Sequence, residues 1–326
     1  MVRLRRVRID VPGWTRQRAG KGFRYLDLDR VRITDTEHLD RITTLAIPPA
    51  WQDVWISPWP NGHIQAAGLD DARRRQYLYH AQWRARRDRL KHDHVLEVGR
   101  RLPAARRSVR RDLALPDFPR EKALALAFRL LDLAYFRAGG EGYAQRNGSY
   151  GLATLHREHV DLLDDGESVH FVYPAKSGQI RDVIVQDAQV AELIGTLLRR
   201  RGGGPELLAW RDDDGWHDIV SADVGADVKH RLGDDASPKD FRTWHATVLA
   251  ARALADVGPA PSAERARRRI ITGVVKDVAT ELGNTPAVCR ASYIDPRVID
   301  LWEHGTTIAP TRSQAVGEKR TLDMLG

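Results

Sequence analysis

The sequence predicts an α+β protein: a small β-rich N-terminal domain over residues 1–88, then a larger, mainly α-helical domain over 89–326 that carries one β-hairpin. Three observations support this. Short alternating runs set apart by Pro and Gly pairs fill the first ninety or so residues. Helical spacing of apolar residues takes over from Trp83. A strand–turn–strand pattern then appears at 169–185. A length of 326 residues is enough for two cores.

In chain order, strands are expected at 23–26, 53–56 and 63–66, separated by Pro48-Pro49 and by Trp59-Pro60-Asn61-Gly62, with a short helix over 35–45. Residues 73–80 interleave arginines with Tyr77, Tyr79 and His80. Such a run suits contact with a phosphate backbone and base edges, and equally a solvated strand with an aromatic core face. The basic stretch 83–90 carries the domain boundary. Leu124, Phe128, Leu131 and Tyr135 line one helix face, and Gly139-Gly140 is expected to stop that helix at Arg137. Strands 169–173 and 180–185 flank the turn Pro174-Ala175-Lys176-Ser177-Gly178, which displays Lys176. A helix over 188–201 runs into Gly202-Gly203-Gly204, and Asp212-Asp213-Asp214-Gly215 forms a polar turn. Ser237-Pro238-Lys239-Asp240 is a strong helix start, with a capping residue, Pro in the first turn and an acid near the N-terminus. Phe241, Trp244, Val248 and Ala251 give that helix an apolar face beside Arg242. A further helix spans 264–282 with Gly283 as its cap, and Pro286 starts a short segment ending at Tyr293.

Composition narrows the partners. Lys and Arg total 52 against 44 acids, a net charge of +8, and the common polyanionic partner of a basic protein is nucleic acid. The single cysteine, Cys289, excludes an internal disulfide and a thiolate zinc site, and is expected to be a small packed residue. No apolar run approaches the roughly 20 residues that span a bilayer. The basic N-terminus leads into Asp10 and Pro12-Gly13 instead of a signal core, so a cytoplasmic protein is expected. No Gly-rich nucleotide motif is present, so ATP is not implied. His156 and His159 suggest no third metal ligand by spacing, which leaves a structural role or a phosphate contact.

Arg137, Lys176, Arg242 and Tyr293 stand out as a set. A lone arginine or tyrosine is usually structural, but together they supply the parts for attack on a phosphodiester. Two guanidiniums clamp the non-bridging oxygens through planar donor forks, and Asn284 adds a third donor. A lysine can protonate the leaving alkoxide. Tyrosine is mostly protonated at neutral pH, and nearby cations favour its phenolate.

Matches along nearly the whole chain reinforce that set. They include residues 16–25, Ile47-Pro48-Pro49-Ala50-Trp51, Gly62-His63-Ile64-Gln65-Ala66 and residues 75–80. They continue through Phe136-Arg137-Ala138-Gly139, Asn147-Gly148-Ser149-Tyr150-Gly151-Leu152, Lys176-Ser177-Gly178, residues 239–244 and residues 284–293. In this order they resemble the type IB DNA topoisomerases, particularly the compact poxvirus-like form found in bacteria. The resemblance implies a catalytic fold related to that of the tyrosine recombinases, and two domains closing as a clamp on duplex DNA. It implies that Tyr293 forms a 3′-phosphotyrosyl bond, that Arg137 and Arg242 stabilise the transition state, and that Lys176, aided by Arg137, is the general acid. Asn284 stands where viral and eukaryotic relatives usually carry histidine. Gln76, Tyr77, Tyr79 and Tyr143 match DNA-contacting positions. A monomer acting preferably on supercoiled DNA, associated with the bacterial nucleoid and needing no cofactor or metal, is further implied. Tyrosine recombinases are the nearest alternative, but they usually place histidine three residues before the second arginine, where this chain has Lys239. A non-catalytic DNA-binding protein would not need the intact set.

Overall fold

The computed structural model describes residues 3–326, apart from the side chains of Tyr143 and Ser177. It divides into two compact units, Met1–Lys91 and His92–Gly326.

In the first unit the chain forms β1 (Trp14–Ala19), β2 (Gly22–Leu26), α1 (Thr36–Thr44), β3 (Gln52–Ile56), β4 (Ile64–Leu69) and β5 (Arg75–Tyr79). The strands make one antiparallel sheet in the order β2-β1-β3-β4-β5, so β5 lies at an edge. Asp35 caps α1 by accepting from the His38 amide at 2.9 Å. Trp14, Ile42, Ile56 and Ala66 share the core of this unit. β1 has no clear sequence signal, because Arg16, Gln17 and Arg18 interrupt any apolar alternation. Pairing supplies what its pattern lacks, with Arg16 opposite Tyr25 and Trp14 opposite Ile56. Arg16 is occupied in structural work, donating to the carbonyls of Ile47, Pro48 and Trp51.

α2 (Ala81–Leu113) is one helix through residues 91 and 92. The second unit continues with α3 (Arg120–Ala134), α4 (Glu141–Asn147), β6 (Val160–Leu162), β7 (Ser168–Pro174), β8 (Ile180–Gln186), α5 (Ala188–Arg199), β9 (Ala209–Asp212) and β10 (Gly215–Asp218). It ends with α6 (Ser221–Leu232), α7 (Pro238–Val257), α8 (Glu264–Leu282), α9 (Pro286–Ser292), α10 (Pro296–Glu303) and α11 (Gln314–Leu325). The fold is thus mixed, with a β-rich N-terminal region and a helical remainder. The expected hairpin is β7–β8, to which β6 adds a third antiparallel strand. α3 and α7 are central. Ala123 to Leu131 are nearly all buried except Arg129, and α7 is buried from Asp240 to Val248. Each fully buried Leu of α3 contributes about 2 kcal/mol of hydrophobic stabilisation.

Two helix ends differ from expectation. α5 stops at Arg199, two residues early. α3 stops at Ala134, because Tyr135 takes a left-handed conformation (φ 58°, ψ 34°) that glycine or asparagine usually signals. Arg137 therefore lies beyond the helix, in a segment fixed when Leu152 and Ala153 donate to the carbonyls of Arg137 and Ala138, each at 2.8 Å. Gly151 permits this approach, since a Cβ there would lie 2.5 Å from the Gly139 backbone. No helix among the described residues is long and apolar enough to cross a membrane.

Candidate active site

The site is built on the C-terminal end of α8. Gly283 ends the helix in the left-handed region (φ 60°), and its amide reaches the Thr280 carbonyl at 3.0 Å. The last-turn carbonyls of any helix lack intrahelical donors and form its negative pole. Here guanidiniums take them. Arg181 donates to Glu281 at 2.6 Å, to Thr280 at 3.3 Å, and to Ala134 at the end of α3 at 3.4 Å. Arg242 donates to Leu282 at 2.7 Å and to the Tyr135 carbonyl. Arg137 donates to Gly283 at 3.1 Å and to the side-chain oxygen of Asn284. Three elements distant in sequence thus converge on one helix end.

None of these three arginines forms an ion pair with a carboxylate among the described residues. Their partners are neutral oxygens, so the cluster keeps its net positive charge. Burial, reinforced by the like charge of Arg137, lowers the Arg242 pKa to about 10. Arg242 is 3% exposed, and its Nε has no hydrogen-bond partner. The Asn284 Nδ2 is likewise buried without an acceptor. Two buried donors left unpaired in a cationic cluster are suited to an anionic oxygen.

Tyr293 stands beside them. Thr285 caps α9 by accepting from the Val288 amide, Pro286 occupies the first turn, and the Tyr293 amide closes the helix on the Cys289 carbonyl at 3.0 Å. Just beyond, the Asp295 amide donates to Thr247 Oγ1 at 3.1 Å, and that oxygen lies 3.4 Å from the Tyr293 carbonyl. The half-buried phenol ring has the Arg242 guanidinium carbon 5.2 Å and Lys239 Nζ 5.8 Å from its centre. Cys289 is fully buried and its thiol is pushed up to about 11 by that burial, as suits a packed residue and not a reactive one.

Arg137, Arg242, Asn284 and Tyr293 are therefore brought together. Lys176 is exposed in the turn between β7 and β8, outside the contacts that join those four. Sequence reasoning missed Arg181, an inward-facing charge between exposed Ile180 and Asp182; that break in strand alternation was the available signal. Lys239, read in the sequence as part of a helix start and as the residue where recombinases carry histidine, was not singled out as a neighbour of Tyr293.

Of the candidate DNA-contacting residues, Tyr77 and Tyr79 are exposed on edge strand β5 with their rings 6.0 Å apart. Alternation puts Arg75 on their face and Gln76 on the other, where Gln76 donates to Asp70 at 2.9 Å. Tyr143 belongs to α4, but its side chain is outside the described residues. At the histidine pair, Glu158 supplies the third group that spacing did not suggest, with ligand atoms of all three residues within 4.8 Å. His159 Nδ1 accepts the His156 amide at 3.1 Å, which puts its proton on Nε2 and takes both nitrogens from a cation.

Comparison with known proteins gives one answer for both units. Residues 22–70 match the bacterial DNA topoisomerase IB N-terminal domain, and residues 80–303 match the eukaryotic DNA topoisomerase I catalytic core. Both matches fall in one class, the enzymes that change DNA topology. The chain belongs to the type IB DNA topoisomerases. It is similar to "DNA topoisomerase 1B" of Acanthamoeba polyphaga mimivirus, at 27% identity over 297 residues, covering 90% of this chain and 88% of the viral one.

Proposed function

We propose that this enzyme relaxes supercoiled duplex DNA through a transient covalent bond to Tyr293. The observation that carries the proposal is the pair of buried, unpartnered donors, Arg242 Nε and Asn284 Nδ2, beside a phenol in a cluster of arginines held only by neutral oxygens. The Tyr293 phenol gives up its proton to solvent beside the cations, and the phenolate oxygen bonds to phosphorus as the bond to the 5′ oxygen breaks, leaving a 3′-phosphotyrosine. Arg137, Arg242 and Asn284 stabilise charge on the non-bridging oxygens, and such preorganised donors act most strongly where water is excluded. Lys176 gives its proton to the departing 5′ alkoxide. For that step the exposed turn of β7–β8 must bring the lysine to the bound phosphate. The freed strand rotates about the intact one, and the reverse reaction reseals it. The phosphotyrosine retains the bond energy, so the chemistry calls for neither ATP nor a metal.

DNA contacts are assigned to Tyr77, Tyr79 and Gln76, and to Tyr143. The enzyme acts as a monomer, and the expected division at residues 88 and 89 separates a DNA-contacting N-terminal domain from a catalytic one related to the tyrosine recombinases.

Plasmid relaxation in EDTA without ATP, run beside Tyr293→Phe, tests the core of this. The variant should bind DNA yet give neither relaxation nor covalent adduct, and adduct formation by it would remove Tyr293 from its role. Lys176→Ala should slow cleavage by about 100-fold, with recovery on a 5′-thiolate leaving strand that needs no proton. Without recovery, another group supplies the proton.

A further inference from the structure

We propose that Arg181 is a positioning residue for DNA cleavage: it fixes the end of α8 from which Arg137, Arg242 and Asn284 are aimed. This rests on the proposed roles of those residues. Arg181 ties two helix ends together, joining the Ala134 carbonyl of α3 to the Thr280 and Glu281 carbonyls of α8. The next two carbonyls of α8, Leu282 and Gly283, hold Arg242 and Arg137. Just beyond Ala134, the Tyr135 carbonyl holds Arg242 a second time. A shift between α3 and α8 would therefore reorient both guanidiniums, and Arg181 braces that junction.

Its setting fits an orienting role. Arg181 is 9% exposed in β8, opposite Tyr173 on β7, with no carboxylate partner among the described residues. A buried cation with no carboxylate in salt-bridge contact is costly to the fold, so its presence calls for a reason other than stability. Gly283 is matched to it. A Cβ there would come within 3.1 Å of Arg181 Cδ and 3.2 Å of Nη1, in a left-handed conformation that alanine resists. Arg181 also lies five residues after Lys176 on the same hairpin, so the brace for the arginines and the proposed acid share one support.

Single-turnover covalent adduct formation should be measured for Arg181→Met and Arg181→Lys, alone and combined with Arg137→Ala. Misplacement by an ångström or so slows chemistry by roughly 100-fold, so Arg181→Met is expected to fall by about that factor, while equilibrium DNA binding stays within about 2-fold. Lysine keeps the charge but not the planar fork, and should recover only part of the rate. In the Arg137→Ala background, Arg181→Met should slow cleavage by clearly less than that roughly 100-fold, because the share acting through Arg137 is already lost and only the share through Arg242 and Asn284 remains. Full additivity, or full recovery by lysine, overturns the positioning role. If Arg181→Met unfolds, Gly283→Ala displaces the brace with the charge intact and should slow cleavage in the same way; a normal rate there also overturns it. Tyr293→Phe is the control. Persistent adduct in that variant defeats the site assignment, whereas its loss beside a normal rate in Arg181→Met defeats the positioning role alone.

Discussion

α7 carries a buried arginine and a buried histidine three residues apart, and they serve opposite ends. On one side Arg242 joins Arg137 and Arg181 at the α8 terminus, where carbonyl and amide oxygens, and the Tyr293 hydroxyl beside Arg242, are the partners. On the other, His245 meets Asp132 at 2.9 Å, and Arg106 forks onto both Asp132 and Glu318 at 2.6–2.8 Å. Tyr135 belongs to both regions. Its carbonyl accepts from Arg242, and its ring lies 4.8 Å from that of His245. A carboxylate neutralises the cation it holds and locks helices together; Asp132 lies on α3, Glu318 on α11, Arg106 on α2. A carbonyl orients the guanidinium but leaves the charge available to a phosphate.

The contrast should separate rate from stability. Arg242→Ala is expected to slow covalent adduct formation by about 1,000-fold, the scale of losing a preorganised transition-state donor. Its unfolding free energy should change by only about 1 kcal/mol, since neutral-acceptor bonds are lost. A variant that is unstable but fast when folded would erase the distinction. Asp132→Asn should do the reverse, lowering stability in denaturant unfolding by about 3 kcal/mol because it leaves buried Arg106 and His245 undercompensated. Its rate per folded molecule should remain within about 3-fold of the parent. A large rate loss without destabilisation would put Asp132 in the site.

The smallest effect is ionic. Burial lowers the Arg242 pKa to about 10, so its charge is complete below that pH and is lost as pH rises through it. At Arg106 burial acts in the same direction, but hydrogen bonds and charge from Asp132 and Glu318 outweigh it and raise the pKa. A bound phosphate restores the proton to Arg242, so DNA binding near pH 10 should take up protons and weaken as pH rises. Calorimetry in buffers of different ionisation enthalpy measures the uptake. The part due to Arg242 should disappear in Arg242→Ala; equal uptake in both proteins counts against it.

Local chemistry made much of the frame legible. Ser237-Pro238 marks the start of α7, Gly283 the end of α8, and the turn before Gly178 the hairpin. Of the five residues that the family's motifs singled out, the fold gathers Arg137, Arg242, Asn284 and Tyr293 at one place and leaves Lys176 in its exposed turn. What stayed hidden has a common cause. Tyr135 ends α3 by a backbone conformation its side chain does not advertise, and β1 is set by partners instead of its own alternation. Arg181 resembles an ordinary strand residue until its acceptors, about a hundred residues later, are in view. Spacing along the chain cannot reveal such long-range pairings.

The pinning of the chain at Thr247 has a mechanical side. Under the proposed chemistry a DNA end is attached to Tyr293 while the duplex unwinds under torque. α9 has only seven residues and by itself would be a weak anchor. The polypeptide at Tyr293 and just after it, however, meets a single hydroxyl on α7, a buried helix of 20 residues. Tension on the strand is passed to the interior of the unit, so the phenol and the arginine beside it move as one body while the DNA turns.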